Sequence, residues 1–159
     1  MDSHSRRQFV GGLGAAALVG ATAGTSLAIA GDDPEQPGKQ VVPGSPYPTF
    51  SRAVRIDRLV FVSGVLGQRP GSRELASPDF AGQCKQAMEN LKASVEASGS
   101  SMDRVVKCQC FLTEQSDFAT FNKIYVTYFP KDPPARSTVI VKDLVAKGAK
   151  LEVDCFAYV

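Results

Sequence analysis

From Phe50 onward the chain alternates between two hydrophobic periodicities, and this order restricts its possible folds more than any other feature. Stretches whose apolar residues recur three and four positions apart indicate amphipathic helices, whereas short apolar or alternating stretches indicate strands. The order is strand, strand, helix, strand, helix, strand, strand. It predicts an α+β sandwich with two helices on one face of a sheet. We expect a domain this small to cover the other face by forming an oligomer.

The helix signals can be assigned to single residues. Ser77-Pro78 predicts the start of the first helix, with Ser77 as its N-cap, and Ser98-Gly99 predicts its end. Ser116 or Asp117 is expected to cap the second helix, which Pro130 ends. The expected buried stripes are Phe80, Cys84, Ala87, Leu91 and Val95 in the first helix, and Phe118, Phe121, Tyr125 and Phe129 in the second. The predicted strands cover residues 54–56, 59–63, 135–141 and 150–158, with a further strand that buries Val106, Cys108, Cys110 and Leu112.

The N-terminus has the pattern of an export signal. Arg6-Arg7 precedes an uncharged run over residues 9–30, which closes on Ala28-Ile29-Ala30. Because the arginine pair is followed by Gln-Phe-Val, we expect a twin-arginine signal that engages the twin-arginine machinery and exports a folded protein. Cleavage after Ala30 would give a periplasmic or otherwise exported protein without stable membrane association, and an uncleaved anchor is the alternative. The proline-rich residues 31–48 indicate a flexible tether, so the predicted domain covers residues 49–159.

Composition excludes several classes of function. The 18 Lys and Arg residues against 16 Asp and Glu give a net charge of +2, which lacks the basic excess typical of nucleic-acid binding. His4 is the only histidine and lies in the predicted signal. We therefore expect no histidine-based catalysis, no metal site and no cofactor.

The four cysteines fall where small buried hydrophobic residues are expected. Cys108 and Cys110 share one face of a strand, Cys155 lies in an apolar alternation, and Cys84 lies on a helix stripe. A cross-strand disulfide involving Cys155 is an alternative in an oxidising compartment, and a catalytic thiol is a third.

Arg136 is the most informative charged residue. Alternation along its strand places Arg136, Thr138 and Ile140 on one face. The planar guanidinium suits a carboxylate held by two hydrogen bonds, either that of a ligand or an internal one from Glu152 or Asp154. Asn122, beside the buried stripe of the second helix, is either a structural tie or a polar group of a pocket.

Several segments in this order resemble one protein family. They are Ser51-Arg52-Ala53-Val54, Val60-Phe61-Val62-Ser63-Gly64, Gln86-Ala87-Met88-Glu89-Asn90-Leu91-Lys92, Phe111-Leu112-Thr113, Pro134-Ala135-Arg136-Ser137-Thr138 and Lys147-Gly148-Ala149. From about Phe50 to Ala157 the chain resembles the Rid family of reactive-intermediate deaminases, also called the YjgF/UK114 family. The resemblance implies a chorismate-mutase-like sheet with two helices on one face, assembled as a homotrimer with clefts between subunits.

The resemblance also implies a reaction and its residues. Family members hydrolyse enamines and imines such as 2-aminoacrylate to 2-keto acids and ammonia. The carboxylate-binding arginine falls on Arg136, and the carboxylate near the attacking water falls on Glu152. The helix asparagine falls on Asn122 and the cleft glycine on Gly64, while Thr138 is placed to offer a hydroxyl. No metal or cofactor is implied.

One position departs from the family pattern. Phe50 stands where well-characterised deaminases have a tyrosine, so the ring remains in the substrate pocket and its hydroxyl is lost. Tyr47, three residues earlier, is not expected to replace that hydroxyl, and Val65 replaces a common polar residue. We therefore expect a more apolar pocket that favours a bulkier imino acid or a different ligand. A protein that binds a carboxylate ligand in the same cleft without catalysis is the alternative function, and a structural or holdase-like role is a third.

Overall fold

The computed structural model describes residues 38–159, which form one six-stranded sheet and two helices. The strands are β1 (Lys39–Val42), β2 (Ala53–Ile56), β3 (Leu59–Leu66), β4 (Val105–Leu112), β5 (Ala135–Ile140) and β6 (Leu151–Tyr158), and the helices are α1 (Phe80–Ala97) and α2 (Phe118–Tyr128). The predicted export signal over residues 1–30 lies outside the described residues. Within residues 38–159, no helix combines the length and apolar character needed to cross a bilayer.

The sheet is mixed, with the strand order β1-β2-β3-β6-β4-β5. Neighbouring strands are antiparallel except for β4 and β5, which are parallel and are connected through α2. A parallel pair requires a crossover connection, and a helix is the usual one. This architecture confirms the predicted α+β class.

Both helices pack on the same face of the sheet. The stripe of α1, from Phe80 to Val95, is buried as predicted, and α1 contacts β3, β6 and α2. The sheet contributes to this core Val60, Val62, Cys108, Cys110, Leu112, Leu151, Val153, Cys155 and Ala157. The opposite face of the sheet carries half-exposed or exposed apolar side chains, namely Leu59, Phe61, Phe111, Val139, Phe156 and Tyr158. Apolar exposure of this extent is typical of a surface that another protein covers.

Gln83 of α1 ties the helix to the loop before β6. Its side chain is fully buried and donates to the carbonyls of Ser77 at 3.1 Å and Gly148 at 3.0 Å. Its Oε1 accepts a hydrogen bond from Lys150 N at 2.9 Å. These three partly buried bonds tie α1 to the segment before it and to the loop that leads into β6, the strand that carries Glu152.

Two predicted boundaries need correction. Residues 39–42 lie in the segment predicted to be a tether, yet they form β1 and pair with β2 through Val41 and Val54. At the start of α1, the N-cap is Asp79 instead of Ser77, because Asp79 Oδ1 accepts the free N–H of Gly82 at 2.8 Å. Ser77 instead accepts a hydrogen bond from Asp79 N at 3.3 Å, one turn before the helix.

Two side chains predicted to be buried are largely exposed. A bulge between Val105 and Lys107 adds a residue to β4, so Val105 is buried and Val106 is 49% exposed. Phe118, at the first turn of α2, is 39% exposed although Phe121, Tyr125 and Phe129 are buried as predicted.

Candidate functional site

A cavity of about 890 Å³ lies at the edge of the sheet where β2 begins. Ala53, the first residue of β2, pairs with Val62, so the C-terminal part of β3 after Val62 extends beyond β2. The chain before β2 folds over this free edge, and the cavity forms between that segment, α1 and the start of β6. Its lining includes Tyr47, Phe50, Gly64, Gln68, Asn90 and Glu152.

Glu152 supplies an acidic group to this cavity. It lies on β6 opposite Leu66, and its side chain packs against the Cα of Gly64. A Cβ at Gly64 would lie only 2.8 Å from Glu152 Cδ, so this approach requires glycine. Phe50, Gly64 and Glu152, three of the predicted site residues, therefore lie together.

Burial and a neighbouring charge shift the acidity of Glu152. Partial burial, and then the nearby carboxylate of Asp154, raise the pKa of Glu152 above its usual value. Asp154 itself accepts a hydrogen bond from Gln109 Nε2 at 3.2 Å. A carboxylate with a raised pKa is a stronger proton acceptor than an exposed one.

Arg136 lies at the opposite edge of the sheet, on β5. Its Nη2 donates to Asn122 Oδ1 at 2.7 Å, and its Cζ lies 4.6 Å from the ring centroid of Tyr125 and 5.2 Å from that of Phe121. These contacts fix the guanidinium by one hydrogen bond and by cation–π attraction. Within residues 38–159 the one ion pair is Lys92–Glu96, so no described carboxylate neutralises Arg136.

The internal ion pair considered for Arg136 is wrong. Arg136 pairs with Cys108, and Cys108 pairs with Cys155, so these three side chains lie on the helix-covered face. Side chains alternate along β6, which places Asp154 and Glu152 on the opposite face. Within one chain, the sheet therefore separates Arg136 from both carboxylates.

Two buried hydroxyls lie near Arg136. Thr138, on the same face of β5, and Tyr125, beneath the guanidinium, each have a buried oxygen without a hydrogen-bond partner among residues 38–159. The thiols of Cys108 and Cys110 lie beside the hydroxyls of Tyr125 and Thr138 respectively, so weak contacts to sulfur are available to both. Sequence reasoning placed Tyr125 only in the core, since the apolar stripe of α2 gives no signal for its hydroxyl. That Thr138 binds substrate remains a prediction.

Phe50 forms an aromatic pair that the sequence did not indicate. Its ring stacks on that of Tyr47, with centroids 5.2 Å apart and 24° between the planes. The Tyr47 hydroxyl accepts a hydrogen bond from Gln68 Nε2 at 2.9 Å. The Tyr47 hydroxyl is thus engaged by Gln68, and that it does not replace the hydroxyl missing at Phe50 remains a prediction.

The cysteines are all free and buried. Burial raises the pKa of Cys108 to about 11 and that of Cys110 to about 12, so both are neutral thiols near pH 7. Cys108 and Cys155 face each other across β4 and β6 without a disulfide. This supports the interpretation of the cysteines as core residues and argues against a catalytic thiol. Residues 38–159 also contain no group of three side chains suited to hold a metal ion.

Comparison with known proteins identifies the family. Residues 41–159 match the family model described as Endoribonuclease L-PSP. The chain is 42% identical over 110 residues to Protein DfrA of Myxococcus xanthus, and this match covers 68% of the chain and 83% of DfrA. It is 39% identical over 108 residues to the 2-iminobutanoate/2-iminopropanoate deaminase of Rattus norvegicus, covering 68% of this chain and 78% of the rat protein. The crystal structure of RidA from the Antarctic bacterium Psychrobacter sp. PAMC 21119 superimposes with a TM-score of 0.70 at 37% identity, covering 76% of this chain and 99% of RidA. The chain belongs to this family, which is the Rid or YjgF/UK114 family that its sequence resembles.

Proposed function

We propose that this protein hydrolyses 2-imino acids and their enamine tautomers to 2-keto acids and ammonia. The observation that carries the proposal is a pair of complementary groups: the Arg136 guanidinium, which has no ionic partner among residues 38–159, and the Glu152 carboxylate, whose pKa is raised. A 2-imino acid needs both a cation for its carboxylate and a base for the attacking water. The names of the curated relatives as 2-imino acid deaminases support this assignment.

The site is proposed to be completed by a second copy of the chain. Arg136 and Glu152 lie on opposite faces of one sheet, so a single chain cannot place both against a small substrate. The half-exposed apolar face that includes Leu59 and Phe61 offers a surface for association. We propose a homotrimer in which Arg136 of one copy faces the Glu152 cavity of the next.

The chemistry requires only these side chains and water. Arg136, oriented by Asn122, holds the substrate carboxylate, and Gly64 allows Glu152 to approach the imine carbon. Glu152 accepts a proton from the water as its oxygen bonds to the imine carbon, and returns that proton to the nitrogen to give the carbinolamine. Glu152 then moves the hydroxyl proton of the carbinolamine to the amine nitrogen, and the C–N bond breaks to release ammonia as the carbonyl forms.

Purified protein and its Arg136→Ala variant test the proposal. An amino-acid oxidase generates the 2-imino acid in place, and semicarbazide traps the imine that survives. We expect the wild type to lower the trapped signal and Arg136→Ala to reduce kcat/KM by about 100-fold, because charge-assisted hydrogen bonds to the substrate are lost. Arg104→Ala, which removes an exposed arginine on a different part of the surface, is the matched control and should equal the wild type.

The alternative is a protein that binds carboxylates in the same cleft without turnover. It is favoured by Phe50, which has no hydroxyl to contact substrate or water. Its signature is a rise in Tm with 2-keto acids that Arg136→Ala abolishes, combined with imine survival equal to the enzyme-free control. That result would contradict the deaminase proposal.

A further inference from the structure

The cavity beside Glu152 has an aromatic wall with an exposed outer surface. Phe50 lines the cavity, and its side chain is 45% exposed even though one face of its ring stacks on Tyr47. Val65, Val145 and Ala146 add apolar surface to the same cavity. Apolar and aromatic lining with a few polar groups is typical of sites that enclose a small organic molecule.

This wall is held in place before any ligand binds. Gln68 is buried, and its Nε2 donates to the Tyr47 hydroxyl at 2.9 Å and to the carbonyl of Arg73 at 3.0 Å. Arg73 in turn donates to the carbonyl of Pro46 at 3.1 Å, and its Cζ lies 4.8 Å from the Tyr47 ring centroid. An aromatic surface fixed in this way loses little conformational entropy when a ligand stacks on it.

The loop that carries Gln68 is fixed to α1 in the same manner. Asn90 Nδ2 donates to the carbonyls of Leu66 and Gln68, both at 2.8 Å. The wall, the loop and the end of β3 therefore form a single hydrogen-bonded unit next to Glu152. A substrate whose reacting carbon lies beside Glu152 would extend its side chain towards Phe50.

The size of the cavity agrees with this arrangement. Its volume of about 890 Å³ lies within the range of roughly 300–1,000 Å³ found for sites that bind drug-sized molecules. A 2-imino acid with a one-carbon side chain would occupy only a small part of this volume. An aromatic side chain would cover it.

We propose that this chain selects 2-imino acids with large aromatic side chains, which stack on Phe50. The selection rests on the proposed function, and it adds the substrate class. Stacking of two aromatic rings, together with burial of the apolar side chain, favours such substrates by about tenfold or more over the alanine-derived imine.

The test compares imines made in place from L-alanine, L-leucine and L-phenylalanine, with rates normalised to the oxidase flux. We expect the wild type to have a kcat/KM about tenfold higher for the phenylalanine-derived imine than for the alanine-derived one. Phe50→Ala should lose this preference, with kcat/KM falling about tenfold more for the phenylalanine-derived imine than for the alanine-derived one. Phe50→Leu, which keeps apolar volume without a ring, should fall between them. Val126→Ala, an exposed apolar residue of α2, is the control.

Binding of the 2-keto acids separates failure of the selection from failure of the chemistry. Calorimetry with phenylpyruvate and pyruvate should show tighter binding of phenylpyruvate that Phe50→Ala removes. If imines are hydrolysed without preference, the selection is wrong and the deaminase function stands. If phenylpyruvate is preferred through Phe50 but no imine is hydrolysed, the deaminase function is wrong and the selection stands. Equal binding of the two acids with no hydrolysis overturns both.

Discussion

Replacing Gly64 by alanine tests whether the position of the Glu152 carboxylate limits turnover. The new Cβ would lie 2.8 Å from Glu152 Cδ and 3.1 Å from Cγ, and closer still to Oε1. Ordinary contact begins near 3.4 Å, so the carboxylate has to withdraw by more than half an ångström. Gly64 is not among the glycines with positive φ, so alanine fits the backbone without strain.

The expected loss follows from this displacement. A misplacement of about 1 Å costs on the order of 100-fold in rate. We therefore expect kcat/KM for imine hydrolysis to fall by about 10- to 100-fold, equivalent to roughly 1.4 to 2.7 kcal/mol. The clash involves the end of a flexible side chain instead of backbone, so Tm should change by only a few degrees.

The assay is the semicarbazide competition applied to wild type, Gly64→Ala and Gly38→Ala. A Cβ added at Gly38 would meet no heavy atom within 4 Å, and Gly38 has no positive φ, so it is the matched control. Adding Glu152→Asp to Gly64→Ala shortens the displaced side chain, so the double variant should recover part of the lost kcat/KM. A double-mutant cycle measures the coupling between the two positions. Full activity of Gly64→Ala would refute the argument that this close approach positions the base.

Two further predictions concern acidity and stability. Asp154→Asn removes one of the two causes that raise the pKa of Glu152. Because the proposed reaction needs the deprotonated carboxylate, the acid limb of the pH profile of kcat/KM should move to lower pH. An unmoved limb in that profile would mean that a different group controls it. Gln83→Leu removes three partly buried hydrogen bonds to backbone groups, each worth about 0.5–1.5 kcal/mol, so urea unfolding should show a loss of roughly 2–4 kcal/mol. A loss below about 1 kcal/mol would contradict the role assigned to these bonds.

Hydrophobic periodicity predicted the sheet-and-helix order because most elements bury one face. The stripe of α1 and the inward residues of β4 from Cys108 to Leu112 are buried as expected. The strand β1 was not predicted, since residues 39–42 contain two valines between proline-rich segments and its burial depends on pairing with β2. The bulge at Val106 likewise depends on the partner strand, which alternation within one strand does not specify.

The faces that the candidate site residues share were predictable from each strand, but their arrangement in the fold was not. Alternation correctly grouped Arg136 with Thr138, and Glu152 with Asp154. Which face of the sheet each pair occupies depends on the register between β5, β4 and β6, and that information is absent from any single strand. The aromatic partner of Phe50 was missed for a related reason, because Tyr47 lies in a loop without periodicity.

The sheet that separates Arg136 from Glu152 also leaves the two side chains with separate sets of contacts. Substitutions around Phe50 and Gln68 change the cavity lining beside Glu152, whereas the Arg136–Asn122 hydrogen bond at the far edge of the sheet involves neither residue. The loop before β2 can therefore vary in sequence without disturbing the hydrogen bond that fixes the Arg136 guanidinium.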